Sequence, residues 1–184
     1  MRVNEISRRD IEARMNSMGD FVKMDYLLSC LKKNNDFETR KFIFLKLSEL
    51  YEARKIYFEA GRMLQNAATI DISSIKKIDY YTGAAALFIQ GGKLDDADSA
   101  FEKAMAVSNL EQKEKINLKK VECYKIQAKL LLAKDKRNSA MLMFERLLRL
   151  NLQEEDKKET QRNLLDLYNK LGKVKEYIAL KKII

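Results

Sequence analysis

The stretch GGKLDDADSAFEKA (residues 91–104) sets a glycine pair in front of Leu94, Ala97, Phe101 and Ala104. Spacings of three and four put those four side chains on one face of a helix. Asp95, Asp96 and Asp98 crowd the same segment and admit three readings: a metal site, a catalytic carboxylate cluster, or the charged start of a helix. Asp95 and Asp98 fall one turn apart while Asp96 points elsewhere, and hard cations ask for six or more oxygen ligands in a pattern such as the EF-hand loop, which is missing here. Carboxylates in a first turn instead cap free N–H groups and oppose the positive end of the helix dipole. The aspartates therefore read as the start of a helix, with no metal assigned.

Upstream, Tyr81, Ala84, Ala85 and Phe88 make a second apolar face that ends at the glycines. The unit is helix, tight turn, helix, with alanines where the two helices approach. Composition extends this to the whole chain. The 184 residues are 46% hydrophobic and 34% charged, with no proline and only 6 glycines. Strand-rich folds need turn residues at frequent intervals, and these are not supplied. The expectation is an all-α protein, a single domain over residues 1–184.

The Tyr81-to-Ala104 pattern, anchored at Gly92, resembles a tetratricopeptide repeat, whose period is ~34 residues. Laid from Ile78, the matching positions are Tyr81, Ala84, Ala85, Phe88, Gly92, Leu94, Ala97, Phe101 and Ala104, with Asn109 where the family places its closing proline. A copy from Val121 offers Tyr124, Ala128, Leu131, Ala140, Phe144 and Leu147. One from Lys41 offers Phe44, Leu47, Ser48, Tyr51, Tyr57, Ala60, Leu64 and Ala67. One from Lys158 offers Leu164, Leu165, Tyr168, Gly172, Val174 and Tyr177. A degenerate unit starts near Glu5, with Gly19 in the turn and Phe21, Met24, Leu28 and Leu31 behind it. The units span about 5–38, 41–74, 78–111, 121–154 and 158–184, the last truncated. Starts at 41, 78, 121 and 158 are 37, 43 and 37 residues apart; the excess falls on EQKEKINLKK (111–120), which extends the helix after it. The resemblance implies a right-handed α-solenoid of four to five stacked antiparallel helix pairs, each burying its apolar face on its neighbours.

Charge sharpens the functional expectation. The net charge is +9, and its surplus lies in residues 111–137 and 170–184. In this family the ligand usually occupies a concave groove lined by the first helix of each pair. The register puts Leu45, Glu49 and Glu52, then Asp79, Thr82 and Ala86, then Glu122, Lys125 and Lys129, then Arg162, Asp166 and Asn169 at groove positions. Lys125 and Lys129 share one helical face, and the next repeat offers Arg162. That trio suits a carboxylate or an acidic peptide through charge-assisted hydrogen bonds. The expected partner is thus another protein or peptide, with an acidic one favoured by the charge. The chaperone-clamp version is disfavoured because its asparagines are missing. Nucleic acid is the second reading, weakened because the aromatics needed for base stacking occupy repeat-core positions.

Other chemistries find little support. There is no histidine to act as general base or metal ligand, and no phosphate-loop, dinucleotide or nucleophile-elbow motif. No catalytic residue, cofactor or enzymatic activity is assigned. Cys30 and Cys123 fall in apolar-periodic segments and read as buried free thiols. The amino terminus carries no uninterrupted apolar region, and the longest uncharged run, residues 80–92, is too short to span a bilayer. A cytoplasmic protein without membrane insertion is expected. Ile178, Leu180, Ile183 and Ile184 make the carboxyl terminus apolar, at a spacing that favours packing back on the preceding helix over self-assembly or a partner.

Overall fold

The computed structural model describes residues 7–33 and 35–184. Through them run α1 (Arg8–Met15), α2 (Asp20–Leu31), α3 (Phe37–Ala53), α4 (Tyr57–Ile70), α5 (Ser74–Gln90), α6 (Leu94–Ala106), α7 (Leu110–Ala133), α8 (Arg137–Leu148), α9 (Glu154–Lys170) and α10 (Val174–Lys181). No strand occurs among the described residues, so the chain is all-helical as expected. They form two compact units, the first ending at Lys113 and the second comprising Glu114–Ile184. Sequence-adjacent helices pack on one another: α2 to α6 in order within the first unit, and α8 on α9 and α9 on α10 within the second. No helix among the described residues is long and apolar enough to cross a membrane.

How the helices begin and end follows from their orphan backbone groups. Four starts are capped by side chains. Ser7 and Asp10 form a reciprocal capping box at α1, and Asp36 accepts from the Thr39 amide at 2.7 Å at α3. Ser73 caps α5, and Asn109 and Gln112 exchange bonds of 2.9 Å at α7. By contrast α4, α6, α8 and α10 start without a side-chain cap, because each emerges directly from a tight turn.

That turn is the same in all four places. Lys55, Gly92, Asp135 and Gly172 each have positive φ, between 52° and 72°. The residue after each donates its amide five positions back, Ile56 to Tyr51, Lys93 to Phe88, Lys136 to Leu131 and Lys173 to Tyr168, at 2.8–2.9 Å. This is the Schellman arrangement, which satisfies the last carbonyls of the first helix and launches the second. The four turns recur at 37, 43 and 37 residues, the intervals read from the apolar pattern. Glycine meets the left-handed backbone at two of them; Lys55 and Asp135 adopt it with a side chain present.

Five residues past each positive-φ position stand Ala60, Ala97, Ala140 and Tyr177; the three alanines are fully buried at the crossing. Behind them Phe101, Phe144, Ala104 and Leu147 complete the buried faces. Between α4 and α5 the approach is close: a Cβ on Gly61 would meet the Phe88 ring at 2.6 Å. Ser48 of α3 donates to the Ala60 carbonyl of α4 at 2.9 Å within the core. Asp71, at the end of α4, accepts from the Ser73 amide at 2.8 Å. Lys41 of α3 reaches Asp71 Oδ2 at 3.1 Å, in a contact that is Coulombic because its direction does not suit a hydrogen bond.

Three expectations need correction or completion. The apolar face of α2 is Met24, Leu27 and Cys30, whereas Phe21 and Leu28 are exposed. This helix is apolar on most of its circumference, so spacing alone did not choose between two faces a residue apart; Phe21 lies instead under the Arg54 guanidinium, 3.4 Å from the ring centre. Glu5, where the first unit was placed, lies outside the described residues. At the carboxyl end only Leu180 packs back; Ile178, Ile183 and Ile184 remain exposed. The charged stretch 111–120 does extend the following helix, and Ile116 is its buried contact.

Candidate functional site

The three residues expected to bind a partner lie in the second unit, on α7 and α9. Lys125 and Lys129 are one turn apart on α7, held in register by the Asn109–Gln112 cap at the helix start and the Asp135 turn at its end. Arg162 sits midway along α9 and is exposed. The structure brings the two lysines against α9 but interposes carboxylates. Lys125 donates to Asp156 and stands 3.8 Å from Glu159, while Lys129 Nζ lies 2.8 Å from Glu159 Oε1. Two cations and two carboxylates thus make a ladder between the helices.

The ladder has its own electrostatics. The hydrogen bond to Asp156 raises the Lys125 ammonium above its ordinary pKa, against a smaller opposing effect of burial. Arg162 lies one turn beyond Glu159 and pairs with no carboxylate among the described residues. Glu155, Lys158, Glu159, Arg162 and Asn163 line an open recess of about 360 Å³ along α9. Lys158 and Arg162 are four apart on one helical row. A ligand carboxylate entering this recess meets two cations that the ladder does not consume.

Asp156, Glu159 and Lys158 did not figure among the expected site residues. The signal for them was the acidic run Glu154–Glu155–Asp156 followed by Glu159, set in the helix that follows the basic one. First-turn acids at an amino-terminal helix end have a local reason to be there, which hides their second role across the helix interface. Elsewhere along the expected groove positions, Glu49, Glu52 and Asp79 are exposed, but Thr82 is 2% exposed, and Leu45 and Ala86 are half-buried. Thr82 is inside because its hydroxyl turns back to the Asp79 carbonyl at 3.2 Å, so the residue packs as a small core side chain.

Two other groups define the surroundings. Burial and then the Glu145 carboxylate, at 3.0 Å from its hydroxyl, push Tyr168 up to about 12, which keeps this α9 residue a neutral donor to α8. Cys123 on α7 is half-buried, and loss of solvation pushes its thiol up, away from the reactive thiolate. Cys30 is fully buried, and both cysteines are free thiols. Toward the amino-terminal end of α7, Glu114, Asn117, Leu118, Lys120 and Val121 with Leu150 and Asn151 line a half-open cavity of about 400 Å³.

No protein-family model matches the chain, and no curated protein sequence matches it. Among solved structures it is similar to the crystal structure of BtubC (BKLC) from P. vanneervenii, at 19% sequence identity and a TM-score of 0.39, over 93% of this chain and 74% of that one. A likeness of that degree supports no assignment of function.

Proposed function

We propose that this chain is a non-enzymatic protein-interaction module built from tetratricopeptide-like helix pairs in a right-handed solenoid. Its partner is a peptide or helix bearing carboxylates, received at the α7–α9 face in the cytoplasm. The recurrent turn at intervals of 37, 43 and 37 residues supports the repeat reading, and the free thiols suit a reducing compartment.

The observation that carries the ligand assignment is the state of the cations. Lys129 and Glu159 are both about half exposed, so their pair contributes little net stability and its carboxylate can be exchanged for one from a ligand. Arg162 lies beside it and presents a fork of donors matched to a carboxylate. Lys125 is more enclosed and tied to Asp156, which makes it the residue that positions α9 rather than the one that yields to a ligand.

Neutral substitutions test this better than charge reversal, because Lys125→Glu would set a third carboxylate against Asp156 and Glu159. A labelled glutamate-rich peptide titrated against the protein should bind in a salt-dependent way by fluorescence anisotropy. The double variant Lys129→Gln, Arg162→Gln should weaken that binding about tenfold or more with helical circular dichroism unchanged, in line with the loss of charge-assisted hydrogen bonds. Undiminished binding by this variant would sink the assignment.

A further inference from the structure

The positive-φ turns give a common numbering for the helix that follows each of them. Two and six residues past Lys55 stand Tyr57 and Gly61 of α4. Both touch what comes next in the chain: Tyr57 Cβ lies 3.3 Å from where a Cβ on Gly91 would be, and Gly61 fits under the Phe88 ring. In α8 the position equivalent to Gly61 is Met141, which is 5% exposed in a helix packed on α9. The same row ends at Glu145, which accepts from Tyr168 of α9. In α4 and α8 this row, spaced by four, is therefore the face on which the next helix is seated.

In α10 the row reads Val174, Ile178 and Lys182. Val174 is 63% exposed and Ile178 is 48% exposed, although α10 packs its other side on α9 and buries Leu180 there. The chemistry of the row's end is inverted. Where α8 offers the Glu145 carboxylate to a donor, α10 offers the Lys182 ammonium. Lys175 and Lys181 flank the row, and Glu176, the one acid of α10, is engaged by Lys173 at 3.6 Å. We infer that this face of α10 seats an amphipathic helix from a partner protein, with its apolar stripe on Val174 and Ile178 and acidic residues against Lys182, Lys175 and Lys181. The charge selects the occupant. A second copy docking symmetrically through this face would bring its own lysines onto these, which opposes association. An acidic helix gains both the apolar contact and the charge match.

The surface is distinct from the α7–α9 face, and one experiment separates the two readings. The probe is a synthetic helical peptide with leucine and alanine on one face and glutamate on the other, beside a twin carrying lysine for glutamate. Both are titrated by fluorescence anisotropy into the full chain. The acidic peptide should bind in preference to its twin, and Ile178→Asp should weaken it at least tenfold. Lys182→Glu should weaken the acidic peptide and improve the lysine twin. In the Lys129→Gln, Arg162→Gln background, where the α7–α9 face no longer contributes, Ile178→Asp should still weaken the acidic peptide at least tenfold. Circular dichroism checks that each variant keeps its helices, and Ile178→Ser provides a milder second variant if the aspartate disturbs folding. The inference is overturned if the acidic peptide does not bind, if the Ile178 variants bind unchanged, or if the twin binds equally well. Binding that Ile178→Asp does not weaken further in that background would assign the peptide to α7–α9 and also overturn it. Concentration-dependent dimerisation abolished by Ile178→Asp would make the occupant a second copy, overturning it too.

Discussion

Two lysine–carboxylate pairs in this protein invert the usual ranking by distance. Lys129 and Glu159 approach to 2.8 Å, while Lys41 and Asp71 are 3.1 Å apart. Yet Lys129 and Glu159 are 50% and 45% exposed, whereas Lys41 and Asp71 are 12% and 2% exposed. The exposed charges lose little hydration when they meet and regain it readily when they part. The buried ones have given up most of theirs: Lys41 also donates to the exposed Glu38 at 2.8 Å, but the enclosed Asp71 depends on Lys41 for its ion pair. The first pair is suited to exchange with a ligand; the second fixes the end of α4 against α3. Burial, more than bond length, separates a contact that serves recognition from one that serves the fold.

The largest expected effect follows at Lys41. Lys41→Met removes the cation and leaves Asp71 buried with only the Ser73 amide to satisfy it, so stability at pH 7 should fall by about 3 kcal/mol. The pH dependence gives a second reading of the same pair. Burial pushes Asp71 up, but the Ser73 amide and Lys41 outweigh it and hold its carboxyl below the usual range. A depressed carboxylate stabilises the fold above its unfolded pKa, about 4, and that contribution is lost as pH falls through the folded value. In the variant the carboxyl protonates more readily, so the cost of the substitution should shrink as the pH is taken down through about 4. Urea unfolding at neutral and acidic pH measures both. An equal loss at the two pH values would mean that the methylene stem of Lys41, rather than its charge, holds the contact.

What the sequence shows of this arrangement depends on how local each determinant is. The turns at Gly92 and Gly172 are legible because glycine advertises the left-handed backbone, whereas Lys55 and Asp135 reach the same conformation without announcing it. Only the period reveals them. The core alanines are legible for a similar reason, since Ala60, Ala97 and Ala140 repeat at fixed distance from the turns. Helix α2 is not, because Phe21, Met24, Leu27, Leu28 and Cys30 offer two apolar faces, and only packing on α3 selects one. At the candidate site, the spacing of Lys125 and Lys129 is local and was readable. Their neutralisation by Asp156 and Glu159 is a contact across 30 or more positions, set by which helix lies beside α7. The exposed tail escaped for the opposite reason: Ile178 looks like a core residue by pattern, and only the helix seated on the equivalent row of α8 shows what it lacks.

Lys125 falls between the two extremes and sharpens the comparison. It and Asp156 are 31% and 28% exposed, so Lys125→Met should cost about 1 kcal/mol, between the surface and buried limits. The hydrogen bond to Asp156 raises this ammonium. A raised lysine contributes fully below its unfolded pKa, about 10.4, and loses the contribution as pH rises through the folded value. The cost should therefore be constant across neutral pH and fade in alkali, the reverse of the acid response of Asp71. Unfolding midpoints of parent and variant between pH 7 and strongly alkaline conditions test this. A cost that already fades near pH 8 would mean that the pair, despite its geometry, does not hold the proton.

The smallest effect belongs to Lys129, and it bears most directly on recognition. Lys129→Met should change stability by no more than about 0.5 kcal/mol, and raised salt should erase even that. Glu159 keeps a neighbour in Lys125 at 3.8 Å, so losing Lys129 does not strand its charge. For the same reason the double variant with Lys125→Met should cost more than the two single changes together, because only then does Glu159 lose both ammonium groups. Urea midpoints at low and high salt for the two single variants and the double one complete the measurement. A loss well above 1 kcal/mol for Lys129→Met alone would break the comparison, since an exposed pair would then be holding α7 to α9. Its carboxylate would not be free to give way, and an acidic ligand would have to add its charge to the recess at Arg162 and Lys158 instead of displacing Glu159.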